Sequence, residues 1–326
     1  MWGNRLGWMI SAGMVIVMMG LLFVLAQADT ISPPTPFARN ASVLEPLPPL
    51  AGMSDVLKMD QAGDAAPMYR KAIASYRRNE RAYESFGKST KTDEKTVGPL
   101  REGVEAIKAG THLSGMELFE ADPASVINFD SNKTDIPALE AVGLAAARWG
   151  LLIHKEQPKE ALELFEAAFG LGAKMFNERV TLAEARAGLG LMASSTTYIA
   201  RLSKTLGDTE REQAALAFDE ARKAYNTEHL DAMIRVLTSP DPNVMGKHVG
   251  DIFVIAEHSK ERMWRVEAIR KLGMMRFAAM RGKRKGDQLG SLRAVRKYAQ
   301  DPNDPVIAAA GKAASALTEG EFRMMR

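Results

Sequence analysis

The sequence predicts an all-α protein whose helical body follows a single N-terminal transmembrane helix. Three observations support this fold class. An uncharged apolar run of membrane-spanning length lies close to the N-terminus, and six of the 15 prolines fall between Pro33 and Pro49. After Gly52, a hydrophobic period close to 3.6 residues runs through most of the chain, which is typical of amphipathic helices. The scarcity of proline in this part is compatible with long helices, because proline disrupts a helix interior.

Residues 8–28 are the predicted membrane segment, and residues 1–7 are the predicted cytoplasmic N-terminus. The run from Trp8 to Ala26 contains no charged residue. At about 1.5 Å rise per residue, its length matches a hydrocarbon core of about 30 Å. Arg5 precedes the segment and Asp29 follows it, so the positive-inside rule places the body outside the cytoplasm. We therefore expect a single-pass protein of the inner or plasma membrane.

A cleaved signal peptide is the alternative interpretation of the same segment. Ala26-Gln27-Ala28 has the small-x-small pattern of a cleavage site, and cutting after Ala28 would give a secreted or periplasmic protein. The apolar run is longer than the usual signal core of about 7–15 residues, which favours a retained anchor. A buried core helix is disfavoured, because the run is apolar on all sides and lies at the extreme terminus.

Residues 29–52 are predicted to form a proline-rich linker. The stretch from Thr30 to Leu50 reads TISPPTPFARNASVLEPLPPL. Closely spaced prolines favour an extended, weakly structured spacer. Such a spacer would hold the helical body away from the bilayer.

The body from residue 53 to 240 is predicted to be a series of helices. Tyr69, Ile73, Tyr76, Tyr83 and Phe86 form one stripe after Pro67, and Gly87 is a helix stop. Residues 88–133 are less regular and predict shorter helices or loops. Further helices are expected from about residue 136, from about 158 and from about 177 to 192, then a fourth ending near 206 and a fifth capped at residue 208 or 209. The Gly188-Leu189-Gly190 triplet indicates close packing between helices.

Two of these helices, over about residues 138–172, share a feature with a known repeat family. Ala161, Phe165 and Ala168 follow the pattern A-x3-F-x2-A in the second helix. In this feature the pair resembles a tetratricopeptide-type hairpin, although Trp149 stands where that family has a small residue. An ordinary helical hairpin is the alternative interpretation.

Residues 241–326 are predicted to form a basic helical domain. The runs EAIRKLG at Glu267–Gly273 and KAASALT at Lys312–Thr318 are 45 residues apart, and an Asp-Pro turn at Asp301–Pro305 lies between them. In this spacing the part from about 245 to 318 resembles HEAT-type repeats, whose period is about 40–47 residues. The resemblance implies stacked helix pairs that offer a binding surface, and it implies no chemistry.

The sequence carries no recognisable catalytic, cofactor-binding or metal-binding motif. The absence of cysteine excludes disulfides, thiolate metal sites and a cysteine nucleophile. The five histidines have no metal-ligand spacing, and neither a G-x-S-x-G motif nor a P-loop is present. We therefore expect no cofactor and favour a non-enzymatic role. Catalytic carboxylates drawn from distant segments leave no short motif, so a helical hydrolase acting on an envelope polymer remains an alternative.

Positive charge is concentrated between Lys260 and Lys297. This window contains 13 Lys and Arg residues against three acids, so it carries +10 while the rest of the chain carries −7. Such a concentration predicts a surface for an anionic partner, although a solvated face that keeps the protein soluble has the same composition. The candidate surface residues are Arg262, Arg265, Arg270, Arg276, Arg281, Lys283, Arg284, Lys285, Arg293, Arg296 and Lys297.

These observations together predict a membrane-tethered helical-repeat scaffold that mediates protein–protein interaction outside the cytoplasm. The expected partners are the membrane, through residues 8–28, and a protein not identified by the sequence. One alternative is the hydrolase, and another is a binder of anionic lipid or acidic polymer through the basic segment. Nucleic acid is not expected outside the cytoplasm, and no pattern of stacking aromatics lies beside the charges.

Overall fold

Helices make up nearly all the regular structure in the computed structural model, which describes residues 44–125, 127, 135–238, 249–281 and 293–317. The predicted all-α class is therefore confirmed. The predicted membrane segment at 8–28 and the first part of the predicted linker lie outside the described residues. The helices are α1 Met53–Val56, α2 Ala66–Phe86, α3 Glu94–Gly110, α4 Asp135–Ile153, α5 Pro158–Glu178, α6 Leu182–Leu206, α7 Thr209–Tyr225, α8 Asp231–Thr238, α9 Val249–His258, α10 Arg262–Arg281, α11 at residues 293–299 and α12 Pro305–Ala316.

Two short strands and two short helical turns complete the described regular structure. The strands β1 Gln61–Asp64 and β2 Leu113–Gly115 pair in parallel, one following α1 and the other following α3. A 3-10 turn lies at Pro123–Ser125, and a π-helical turn at Asn226–Leu230 joins α7 to α8. The two strands are too short to give an alternating pattern in the sequence, which explains why the periodicity did not reveal them.

The centre of the body is the contact between α5 and α6. Phe169, Ala173 and Phe176 of α5 are all fully buried. The two helices touch at Gly172 and Gly188, where a Cβ added to either glycine would lie 2.6 Å from the carbonyl oxygen of the other. The predicted close packing at Gly188 is thus confirmed. At Gly190, by contrast, an added Cβ would meet no atom within 4 Å.

The local signals for several helix ends are also confirmed. Helix α2 ends at Phe86, and Gly87 is its C-cap residue. The carboxylate of Asp208 accepts a hydrogen bond from the backbone N–H of Arg211 at 3.0 Å, so it caps α7 as predicted. Along the predicted stripe of α2, Tyr69 and Phe86 are buried while Tyr76 is partly exposed.

The predicted break within α6 was wrong. The sequence predicted one helix over about 177–192 and another ending at 206, but a single helix of 25 residues runs from Leu182 to Leu206. Its start is fixed by a capping box, in which the Thr181 hydroxyl accepts from the backbone N–H of Glu184 at 3.2 Å and the Glu184 carboxylate accepts from that of Thr181.

Helix α3 has 17 residues and lies in the stretch 88–133, where the sequence predicted shorter helices or loops. Its glycines and Pro99 weaken the helical signal of the sequence. Two of these glycines are instead required by packing against α2 and the residue before it. A Cβ on Gly103 would lie 2.2 Å from the Tyr83 hydroxyl oxygen, and a Cβ on Gly110 would lie 2.9 Å from the Tyr69 ring.

Helices α4 and α5 form the hairpin that carries the tetratricopeptide-like feature. Ala161, Phe165 and Ala168 are all buried. The small residue that allows close approach on α4 is Gly150, where an added Cβ would lie 3.1 Å from the Ala161 carbonyl oxygen. The close contact is therefore one position after Trp149.

The run Glu267–Gly273 lies on α10, and residues 312–316 of the second run lie on α12. Helix α10 packs against both α9 and α12. A Cβ on Gly273 would lie 2.9 Å from the Cβ of Ala314, so α10 and α12 approach closely at these two residues.

Residues 44–50, called the strap from here on, are the described end of the predicted linker, and they are held against the body. The backbone N–H of Lys260 donates to the Leu44 carbonyl at 2.7 Å, and that of Leu47 donates to the Glu261 carboxylate at 2.9 Å. The Tyr225 hydroxyl donates to the Pro48 carbonyl at 2.8 Å. The sequence predicted a weakly structured spacer here, and these long-range hydrogen bonds explain the difference.

Helix α4 has the length and apolar composition of a membrane-spanning helix. It is the one helix in the described ranges with these properties, and 61% of its most apolar stretch is buried inside the protein. Burial of this kind is typical of a core helix, so α4 belongs to the packed body.

Candidate functional site: a basic groove

A groove of about 620 Å³ lies between α9, α10, α11 and the turn that follows α11. Four of its side chains are cations that the sequence predicted for an anionic-partner surface. Two acids also line it. The lining residues are Glu257, Arg265, Arg293, Arg296, Lys297, Tyr298, Gln300, Asp301, Pro302 and Asn303.

The helical period of α11 places its cations on one face. Arg293, Arg296 and Lys297 have the spacing i, i+3 and i+4, which brings them together on the helix surface. Val295 and Tyr298 are buried, with 0% and 4% of their surface exposed. These two buried residues fix the rotation of α11, so its cationic face is turned toward the groove and the solvent.

The turn after α11 is held by two aspartates. The Asp301 carboxylate accepts from the backbone N–H groups of Asn303 and Asp304, at 2.9 and 3.1 Å. The Asp304 carboxylate in turn caps α12 through the N–H groups of Val306 and Ile307, at 3.0 and 3.2 Å. The sequence motif Asp301–Pro305 therefore builds one end of the groove.

Arg293 and Arg296 supply the uncompensated charge of the groove. Both side chains are exposed. Neither has a carboxylate within 4.0 Å among the residues that the structure describes. They are therefore the cations of the groove that can meet an anionic partner without first giving up an ion pair.

Lys297 is compensated by an acid from α9. Its Nζ lies 2.5 Å from Oε1 of Glu257, and the Tyr298 hydroxyl donates to Oε2 of Glu257 at 3.0 Å. The hydrogen bond from Lys297, with that from Tyr298, holds the pKa of Glu257 below its ordinary value. Burial, with the neighbouring Glu257, raises the pKa of Tyr298, so the phenol stays protonated. Glu257 is consequently a fixed negative charge on the groove wall.

Arg262 and Arg265 are held by Asp304. Their guanidinium nitrogens lie 3.5 and 3.8 Å from Oδ2 of Asp304, and Arg262 also lies 2.8 Å from a carboxylate oxygen of Glu120. Arg265 additionally donates to the Ala256 carbonyl at 3.2 Å. These arginines bind α10 to its neighbours, so their charge is largely used within the protein.

The other predicted cations fall into two groups. Arg270 is partly buried and donates to Glu267 at 2.9 Å, and it does not line the groove. Arg276 and Arg281 lie on α10, but their side chains are outside the described part of the structure. Lys283, Arg284 and Lys285 lie wholly outside the described residues. The structure thus brings together Arg265, Arg293, Arg296 and Lys297. Sequence reasoning missed Glu257, because its distance of 40 residues from Lys297 gave no local signal.

A pair of acids, Glu178 and Glu184, bears on the hydrolase alternative. Glu178 accepts from the backbone N–H groups of Phe119 and Glu120, at 2.6 and 2.8 Å, and Glu184 accepts from that of Val180 at 2.7 Å. Burial raises the pKa of both carboxyls, and the charge of Glu178 adds to the effect on Glu184. Glu184 has 0% of its surface exposed, so it cannot touch a substrate in this conformation.

Within the described ranges, no cluster of three His, Asp or Glu side chains could hold a metal ion. No protein-family model, curated protein or solved structure matches the chain.

Proposed function

We propose that the protein is a membrane-tethered helical scaffold that binds an acidic protein segment outside the cytoplasm, with the basic groove as its binding surface. The observation that carries the proposal is the pair Arg293 and Arg296, exposed and without a carboxylate partner among the described residues, in a concave site. Arginine recognises carboxylates through two parallel hydrogen bonds, which suits Asp and Glu side chains. Grooves of stacked helix pairs are common binding sites for peptides.

The mixed lining of the groove favours a polypeptide over a lipid surface. Glu257 and Asp301 place negative charge beside the arginines, while Gln300 and Asn303 add amide groups. A protein segment can alternate acids with donors to match this pattern. A bilayer of anionic headgroups cannot, because its headgroups would also meet the two acids.

The strap limits where such a scaffold can act. If residues 8–28 stay in the bilayer, only residues 29–43 separate the membrane from the strap. A fully extended chain of that length reaches about 50 Å. The tether would therefore keep the groove near the membrane and raise its effective concentration toward other membrane-bound proteins.

The test measures binding of a fluorescent Glu-rich peptide to the purified full-length protein in detergent. We expect Arg293→Gln/Arg296→Gln to weaken binding about tenfold or more, since two charge-assisted contacts are lost. The matched control is Lys88→Gln/Lys91→Gln, which removes the same charge from exposed positions after α2 and should leave the affinity unchanged. Raising the salt concentration should weaken binding to the wild type.

The same variants separate the lipid alternative from the scaffold. If the peptide does not bind but vesicles rich in anionic lipid do, and only the Arg293/Arg296 variant loses the vesicles, the partner is lipid. Equal loss of peptide binding in both double variants would mean that net charge, and not the groove, is responsible, and the proposal would fail.

A further inference from the structure

A second concave site, of about 310 Å³, lies where the turn between α4 and α5 meets α6. Its polar lining includes His154, Lys155 and Arg201, and its apolar lining includes Pro158, Tyr198 and Leu202. This pocket shares no lining residue with the basic groove, and the proposed scaffold function does not use it. Its volume is near the lower end of small-molecule pockets, which span about 300–1,000 Å³.

The guanidinium of Arg201 stands at the end of a stack of aromatic rings. The rings of Phe165 and Tyr198 are parallel within 5°, with centroids 4.7 Å apart, and Cζ of Arg201 lies 5.7 Å from the Tyr198 centroid. Phe165 is 1% exposed, so the stack is anchored in the core between α5 and α6. Arg201 is thus held in position before a ligand arrives, which reduces the entropy lost on binding.

The two cations of this pocket are free to pair with an anionic ligand. Arg201 and Lys155 are exposed, and in the described part of the chain neither has a carboxylate within 4.0 Å. His154 lies with Nδ1 2.7 Å from the Leu151 carbonyl, so Nδ1 must be the donor because a carbonyl only accepts.

We propose that this pocket binds a small organic anion. Its carboxylate or phosphate group would pair with Arg201 and Lys155, and its apolar body would lie against Pro158 and Leu202. Helix α5 begins at Pro158, so the partial positive charge of the helix start adds to the attraction, offset in part by Glu160 in its first turn. A planar guanidinium with no internal acid partner binds either anionic group in two-point contact.

Isothermal titration of the full-length protein with benzoate, phenyl phosphate and inorganic phosphate tests the proposal. We expect saturable 1:1 binding of at least one organic anion, tighter than that of inorganic phosphate because the apolar body is buried. Benzoate and phenyl phosphate distinguish the carboxylate from the phosphate group. Arg201→Gln should weaken the better ligand about tenfold or more.

Two further variants control for folding and for general charge. Arg186→Gln removes an exposed arginine from the same helix, outside the pocket, and should leave binding unchanged. Tyr198→Leu keeps Arg201 but removes the ring beneath it, and should weaken binding while the far-UV circular dichroism stays unaltered. The proposal is overturned by any of three results: no saturable binding up to about 10 mM, equal losses in Arg201→Gln and Arg186→Gln, or equal affinity for organic and inorganic anions.

Discussion

Arg179 and Glu261 meet across 82 positions of sequence, with Nε of Arg179 3.1 Å from Oε1 of Glu261. Their side chains are only 16% and 7% exposed. Arg179 is the C-cap residue of α5 and has a φ of 24°, a positive value that non-glycine residues rarely adopt. Glu261 also accepts the backbone N–H of Leu47 in the strap at 2.9 Å. One carboxylate therefore connects the end of α5, the start of α10 and the strap.

Loss of the Glu261 charge should destabilise this junction. In Glu261→Gln the Arg179 guanidinium stays largely buried without its counter-charge, so we expect the free energy of unfolding to fall by about 2–4 kcal/mol. Urea denaturation of the full-length protein in detergent, followed by circular dichroism, measures the change.

The control for this variant is Glu45→Gln. Glu45 pairs with Lys260 at 2.7 Å in the same neighbourhood, but its side chain is 55% exposed and that of Lys260 is 62% exposed. Exposed pairs contribute less than about 1 kcal/mol, so the control should be nearly neutral. Similar losses in the two variants would show that the Arg179–Glu261 pair has no special role.

The contact between Gly172 and Gly188 predicts opposite effects of one substitution at two nearby positions. Gly188→Ala would place its Cβ 2.6 Å from the Gly172 carbonyl oxygen, so we expect a loss of about 1–3 kcal/mol as α5 and α6 are forced apart. Gly190→Ala meets nothing within 4 Å in the same helix and should stabilise the protein by up to about 1 kcal/mol. Thermal unfolding of both variants checks the pair, and a stable Gly188→Ala protein would contradict the observed packing.

Glu184 should make the stability of the protein depend on pH. Burial raises the pKa of its carboxyl well above the ordinary value of 4.5, so the folded state binds the proton more tightly than the unfolded state. The stability that this proton provides is complete below the ordinary pKa and is lost as the pH rises toward the raised pKa.

Glu184→Gln should remove this pH dependence, because an amide has no proton to lose and still supports a capping box. We expect the variant to lose less stability than the wild type between about pH 5 and pH 8, measured as the urea midpoint. Glu156→Gln, at an exposed position after α4, is the control and should follow the wild-type curve. Parallel curves for the wild type and Glu184→Gln would contradict the prediction.

The sequence by itself determined the features that depend on neighbouring residues. The 3.6-residue period predicted the helical class, Gly87 and Asp208 marked helix ends, and Gly188 indicated a close contact. These signals are readable because each acts within about one helical turn.

Only the tertiary structure decided which charges are paired within the protein and which glycines are needed for helix packing. Helix α3 forms despite Pro99 because Gly103 lets it pack against Tyr83, a contact absent from any local pattern. Arg262 and Arg265 are neutralised by Asp304, about 40 residues away, while Arg293 and Arg296 stay available. Partners so distant in sequence are chosen by the packing of whole helices, and local propensity carries no information about that packing.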